Sequence, residues 1–298
     1  MSDPESSRKK NLLGAIEAGG TKVVCAVAEN PGPVFAARTV IPTTSSAATF
    51  SKVIDFLSSY PLRAVGIACF GPLDLQRGWI TSTPKIGWRD VDVVGPLKRA
   101  LGVPIGIDTD VNGAALGEKC HGAGAGKDPL LYVTVGTGIG VGVLVGGRPV
   151  HGLMHPEGGH MSIRRHPDDS FGGMCAYHGD CLEGLASGPA IEGRWGIPGQ
   201  DLPPDHPAWE LEAYYLAEAL CNMVYLITPQ RIVLGGGVMN QQALLPLIRR
   251  QLGTSLAGYI VPLDSSEAIE DLVVPAGLGH DAGIVGALEM ARQAAGEG

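Results

Sequence analysis

The chain has 298 residues, of which 45% are hydrophobic and 17% charged, enough apolar material for a large core and too much for global disorder. Thirty acidic residues against 22 basic ones give a formal charge of −8, which argues against nucleic acid as the main partner. No stretch reaches the eighteen uninterrupted apolar residues of a membrane span, and the first ten residues, MSDPESSRKK, lack the apolar segment of a signal peptide. Six cysteines over this length do not form a secreted disulfide framework, so the expectation is a soluble cytoplasmic protein.

In chain order, β-rich runs at 12–18, 22–28 and 34–41 are separated by Gly19-Gly20-Thr21 and Pro31-Gly32-Pro33, residues that favour turns. A helix is expected over 49–58, with Phe50, Val53, Ile54 and Leu57 on one face. A buried strand follows at 64–70, then a short helix at 93–101, a strand at 105–110 and a helix at 111–118. The second half repeats the opening: a strand at 130–135, the turn Gly136-Thr137-Gly138, and a strand at 139–145. A polar loop covers 155–183. A long helix at 208–228 is closed by Pro229, and a strand at 231–234 leads into Gly235-Gly236-Gly237 and another helix. A strand at 271–274 and a helix at 282–295 finish the chain. Strands alternating with helices indicate α/β architecture, and the similar openings point to two related domains with a cleft between them. Arg164-Arg165-His166, followed by Asp168 and Asp169, reads as a solvated loop face.

The polar loop carries His160, fourteen further residues, then Cys175-x-x-His178-x-x-Cys181. Two Cys and two His are the usual donors of a closed tetrahedral zinc site, and four protein ligands leave no open position for water, so the site reads as structural. The alternative is a pair of buried thiols beside exposed histidines. Glu157 and Glu183 flank the set, and a carboxylate suits a polyhydroxyl ligand because it accepts several hydroxyl hydrogen bonds. The tips Glu17-Ala-Gly19-Gly20-Thr21-Lys22 and Gly136-Thr137-Gly138 offer backbone N–H groups and a hydroxyl to an anion. Either alone could be an ordinary hairpin turn; the pair, at matching places in two halves, favours a phosphate clamp. The G-x-x-x-x-G-K-[ST] loop is absent, and neither tip has G-x-G-x-x-G. Asp110 ends a strand where α/β proteins bind ligands, and could take a proton from a hydroxyl attacking a γ-phosphate. It fits a helix N-cap equally well. Gly235-Gly236-Gly237 suits close packing against a flat ring, or simply a tight strand–helix turn.

Together these residues resemble the ROK family of sugar kinases, within the actin-like ATPase superfamily, from about Gly14 to Gly286. The carriers are EAGGTK at 17–22, TDVNGAALGE at 109–118, VGTGIG at 135–140, LGGGV at 234–238, and HPEGGH at 155–160 with CAYHGDCLEG at 175–184. Glu17, Thr109 and His178 stand where most members have Asp, Asn and a third Cys. All three are similar to the bacterial fructokinase branch, as are TSTPKIGW at 81–88 and SFGGMCAYHGDCLEGLASGPAIEGRWG.

The resemblance implies two ribonuclease H-like domains, one spanning 1–113 and completed by a helix at 281–298, the other spanning 114–280 with a zinc loop at 155–184. It implies ATP-dependent phosphorylation of fructose at C6, with Asp110 as general base. The phosphates would lie against Gly19, Gly20, Thr21 and Lys22 and against Gly136, Thr137 and Gly138, the adenosine against Gly235 and Gly236. Glu17 would order Mg²⁺ through water. Thr83, Glu157, His160 and Glu183 would bind the sugar, and His160, Cys175, His178 and Cys181 a structural Zn²⁺. A homodimer is implied in the same way. Alternatives are a broader hexokinase acting on mannose or glucose, a non-catalytic sugar sensor, disfavoured because only about ten polar residues precede the first strand, and a zinc hydrolase, disfavoured by the four-ligand set.

Overall fold

The computed structural model describes residues 11–83 and 85–297; the first ten residues, read above as lacking a signal peptide, lie outside them. The chain divides into two compact units, the first comprising 1–122, 151–155 and 280–298, the second 123–150 and 156–279.

In chain order the first stretch contains β1 (Leu12–Ala18), β2 (Lys22–Ala28), β3 (Ala37–Pro42), α1 (Ser46–Leu57), β4 (Leu62–Cys69), the short strands β5 (Leu73–Asp74), β6 (Trp79–Ile80) and β7 (Val91–Asp92), then α2 (Val94–Leu101), β8 (Ile105–Thr109) and α3 (Asp110–His121). The second contains β9 (Leu130–Val135), β10 (Ile139–Val145), β11 (Arg148–Pro149), α4 (Leu182–Ala186), α5 (Gly188–Trp195), α6 (Ala208–Ile227), β12 (Arg231–Gly235), α7 (Leu244–Leu256), α8 (Ser266–Leu272) and β13 (Val273–Pro275). The last helix, α9 (Ala282–Ala294), returns to the first unit. Among the described residues no helix is long and apolar enough to cross a membrane.

Both units are built on one plan. The first sheet runs β3-β2-β1-β4-β8 and the second β11-β10-β9-β12-β13. In each, an antiparallel meander of three strands is extended by two strands parallel to the first of them. The repeat inferred from similar openings is thus a repeat of sheet topology. Each sheet has its own apolar core, one centred on Ile16, Cys25, Ile67 and Leu97, the other on Leu131, Val141, Leu216 and Ile248. Cys25 and Cys69 are fully buried, as their apolar surroundings predict.

Helix α9 lies on β1, β4 and β8 and beside α3. Its approach requires glycine: a Cβ on Gly66 would lie 1.8 Å from the Ala287 carbonyl oxygen, and one on Gly286 would lie 1.7 Å from that of Gly113. This contact fixes α3, and with it the start of the helix that carries Asp110.

Some boundaries differ from expectation for identifiable reasons. Strand β3 begins at Ala37 rather than 34, because the chain leaving Pro31-Gly32-Pro33 stays solvated, with Val34 81% exposed. Helix α1 begins earlier than 49, where the Ser45 hydroxyl accepts from the Ala48 N–H. Asp271 belongs to α8 and not to a strand, since Ser265 caps a helix that runs to Leu272. The short sheet β5-β6-β7 and helices α4, α5 and α8 carry too little periodicity to be read from sequence.

The basic loop needs a larger correction. Arg165 donates to Asp180 (3.1 Å) and to the carbonyls of Asp169 (3.1 Å) and Phe171. Asp169 is buried beneath Arg194 (Nη2 to Oδ2, 3.1 Å) and the Tyr215 hydroxyl (2.5 Å). Arg164, 80% exposed, and Asp168 stay solvated as the sequence suggests, whereas Arg165 and Asp169 are turned inward and hold the loop that leads to Cys175.

Candidate functional site

In the first unit, β1, β4 and β8 are parallel neighbours, so their carboxyl ends share one edge. Glu17 lies near the end of β1, and Asp110 directly follows β8. Thr109, not Asp110, is the N-cap of α3: its backbone is extended, and its hydroxyl accepts from the Asn112 N–H (3.2 Å). Asp110 is the first helical residue, and its Oδ1 accepts from Val111 N (2.9 Å). The capping role that competed with a chemical one is therefore filled by its neighbour. Glu17 and Asp110 feel each other's charge. Burial first, and the Asp110 carboxylate second, push the Glu17 carboxyl up to about 7, while Lys22 pulls the other way.

The tip between β1 and β2 is closed by Gly19 N–H donating to the Lys22 carbonyl (2.9 Å), and braced by the Thr43 hydroxyl on the Gly19 carbonyl (2.9 Å). Gly20, Thr21 and Lys22 are exposed at its apex. Lys85 donates to the Gly20 carbonyl, a contact that sequence reasoning missed although the residue lies within TSTPKIGW. Thr83 is buried, with its hydroxyl oxygen accepting from Lys85 N (3.3 Å) and its carbonyl from Arg89 Nε (2.9 Å). The loop is anchored by Trp88, fully buried between Phe50 and Phe70, with its indole N–H on the Thr44 carbonyl (2.8 Å).

In the second unit, the tip between β9 and β10 closes through Gly136 N–H to the Gly138 carbonyl (2.9 Å). The Gly136 carbonyl also accepts from Gly188 N at the start of α5 (2.7 Å). Gly136 and Thr137 line a cavity of about 830 Å³ with Pro189, Glu192, Gly237 and Gln241 among its other walls. Gly235 and Gly236 serve close packing behind it: a Cβ at 235 would lie 2.1 Å from the Tyr132 hydroxyl, and Gly236 has φ +92° with Val135 oxygen 2.3 Å from the position of its absent Cβ. Glu192 and Gln241 gave no sequence signal, being isolated polar residues in helical or turn segments.

His160, Cys175, His178 and Cys181 come together with their donor atoms all within 4.8 Å of one another. The His160 Nδ1 lies 3.7 Å from the Cys175 Sγ and 3.6 Å from the Cys181 Sγ, and the His178 Nδ1 lies 3.6 Å from the Cys175 Sγ. Tetrahedral zinc with usual bond lengths would separate sulfur and nitrogen donors by about 3.6 Å, so the set fits that ion. Burial first pushes the Cys181 thiol up to about 11. The Nε2 of His160 is left to serve a second partner.

Glu157 precedes the short turn Gly158–His160, and its carbonyl accepts from His160 N (3.0 Å). The turn lies so close to β10 that a Cβ on Gly159 would fall 1.8 Å from the Ile139 oxygen. Glu183, two residues beyond Cys181, reaches the same strand: its Oε2 accepts from Ile139 N (3.0 Å). Glu157, Glu183 and the metal-fitting set are thereby gathered around the start of β10, next to the second glycine tip.

Comparison with known proteins identifies the family. A model of the ROK family matches residues 13–294. A provisionally named fructokinase of Bacillus subtilis is 48% identical over 288 residues, covering 95% of this chain and 96% of its own. A fructokinase of Zymomonas mobilis is 45% identical over 296 residues, covering 95% and 97%. A ROK family glucokinase from Streptomyces griseus, solved with glucose and AMPPNP, superposes with a TM-score of 0.73 at 25% identity over 95% of this chain and 99% of that one. With the family model spanning nearly the whole sequence and both sheets repeating one actin-like plan, the chain belongs to the ROK family.

Proposed function

We propose that this protein is an ATP-dependent fructokinase that transfers the γ-phosphoryl group of Mg-ATP to the C6 hydroxyl of D-fructose. The observation that carries the reading is the 48% and 45% identity to fructokinases over nearly the full length of both partners. Asp110 takes the proton of the C6 hydroxyl as that oxygen attacks the γ-phosphorus; the bond to the bridging oxygen breaks, and ADP leaves. Its place at the carboxyl edge of the sheet, relieved of capping by Thr109, supports this role.

Gly19, Gly20, Thr21, Lys22, Gly136, Thr137 and Gly138 hold the phosphates, with the adenosine in the cavity walled by Gly237 and Gln241. Glu17 orders the magnesium that accompanies ATP. Thr83, Glu157, His160 and Glu183 bind the sugar. His160, Cys175, His178 and Cys181 would hold Zn²⁺, which supplies a rigid four-point crosslink to the loop and no open coordination site. That crosslink would fix the His160 ring so that its second nitrogen meets a sugar hydroxyl.

A broader hexokinase is the second reading, since glucokinases of about 29% identity also match over most of the chain. Competition among fructose, mannose and glucose in a single coupled assay decides between them. Equal kcat/KM for glucose would overturn the fructose assignment.

A further inference from the structure

Residues 151–155 belong to the first unit although the chain on either side belongs to the second. The chain leaves β11, runs along the first unit for five residues, and returns to the second at Pro156, just before Glu157 and His160. Two histidines fasten this strap. His155 is buried, and its Nε2 accepts from Leu73 N (3.0 Å); a Cβ on Gly71 would lie 3.4 Å from its ring. His151 places its Nε2 2.9 Å from the Oδ2 of Asp108.

Asp108 is 5% exposed and lies two residues before Asp110. Its other oxygen accepts from Thr109 N (2.7 Å) and from the Asn112 side-chain amide (2.8 Å). Both donors belong to the first turn of α3, and Thr109 is that helix's N-cap. The Asn112 side-chain oxygen is buried without a hydrogen-bond partner among the described residues, so its amide orientation is set by Asp108 alone. A buried carboxylate held by three donors is rigid, because each bond to a charged acceptor resists displacement in a low-dielectric site. Asp108 thus joins the base of the turn carrying Asp110 to the strap that leads into Glu157 and His160.

We propose that Asp108 and His151 form a positioning pair for phosphoryl transfer: His151 locks the Asp108 carboxylate, and the carboxylate locks the helix start that aims Asp110. This rests on the reading of Asp110 as the general base. Neither residue needs to touch substrate, so the pair acts on kcat through the aim of the base and leaves nucleotide binding alone.

The test uses His151 variants of the full chain, because truncating Asp108 would strand two buried donors and endanger folding. His151→Ala should lower kcat about ten- to a hundredfold, the scale of a misplaced catalytic group, with KM for Mg-ATP changed less than about twofold. Its thermal midpoint should stay near that of the parent, since the His151 side chain is 40% exposed. His151→Gln, whose amide donates from the position of the ring Nε2, should recover kcat to within about threefold of the parent. The proposal is overturned if the Ala variant keeps kcat within about twofold, or if Gln is as slow as Ala. In an Asp110→Ala background, His151→Ala should add nothing further; a second, equal loss there shows that it acts elsewhere and also overturns the pair. Normal turnover by Asp110→Ala alone would instead sink the reading of the base.

Discussion

Gly138→Ala is the most discriminating single change at the second tip. The added Cβ would lie 2.6 Å from the Oε2 of Glu183, an atom that also accepts from Ile139 N at 3.0 Å. Ordinary contact begins near 3.4 Å, so the carboxylate must retreat by roughly 0.8 Å, which stretches the Ile139 bond beyond hydrogen-bond range. Glu183 is the free end of a flexible side chain, so the steric cost is small and the fold should survive. What is lost is a hydrogen bond to a charged acceptor, about 1.5–3 kcal/mol, together with the placement of a carboxylate assigned to the sugar. At about 1.4 kcal/mol per factor of ten, kcat/KM for fructose should fall roughly ten- to a hundredfold. Coupled turnover and calorimetric titration with fructose both report it, the second remaining informative where turnover is lost. Repeating the change in a Glu183→Ala background closes a double-mutant cycle, in which the Gly138 effect should largely vanish. An equal loss in both backgrounds, or no loss in the parent, would refute a mechanical link between the second glycine tip and Glu183.

Asp110→Ala should lower kcat by at least about a hundredfold with little change in nucleotide affinity, which single-turnover kinetics and calorimetry would separate. Cys175→Ser should leave the purified protein short of stoichiometric zinc by metal analysis and lower its thermal midpoint, whereas full zinc occupancy would dissolve the four-ligand assignment. Glu17 gives a pH signature. Its carboxyl titrates at about 7 in the fold against the usual 4.5. Between those values the folded chain binds more protons than the unfolded one, so stability of the ligand-free protein falls as pH rises through that window. Glu17→Gln removes the penalty, and its midpoint should gain on the parent's from pH 5 to pH 8; a pH-independent difference would remove the burial argument.

What the sequence disclosed and what it hid follow from where each signal resides. Strands β1, β2, β9 and β10 were legible to the residue because buried strands are continuous apolar runs cut by glycine tips. Cys175, His178 and Cys181 were legible because short spacings constrain them locally, and His160 by its residue type within the same polar loop. Asp110 was ambiguous for a reason the fold resolves: Thr109 and Asp110 are both good caps, and only the extended backbone at 109 decides between them. Asp169 was misread because a charged residue's burial depends on partners far along the chain, here Arg194 and Tyr215, and Arg165 because its acceptors include loop carbonyls, which carry no sequence signal. Lys85 and His151 were missed for the same reason: their partners, Gly20 and Asp108, are distant in sequence.

The two sheets share a topology but not a chemistry, and the inserted segments explain why. The first sheet's parallel edge ends in Glu17 and Asp110, two carboxylates close enough that one raises the proton affinity of the other. At the corresponding edge of the second sheet, β12 runs into Gly235 and Gly236, where the absent side chains leave room for Tyr132 and for the backbone of β9. The long loop between β11 and α4 has no counterpart in the first sheet, and its glycines press it onto β10 at Gly159. A repeated sheet plan is made asymmetric by one acidic pair and one inserted loop.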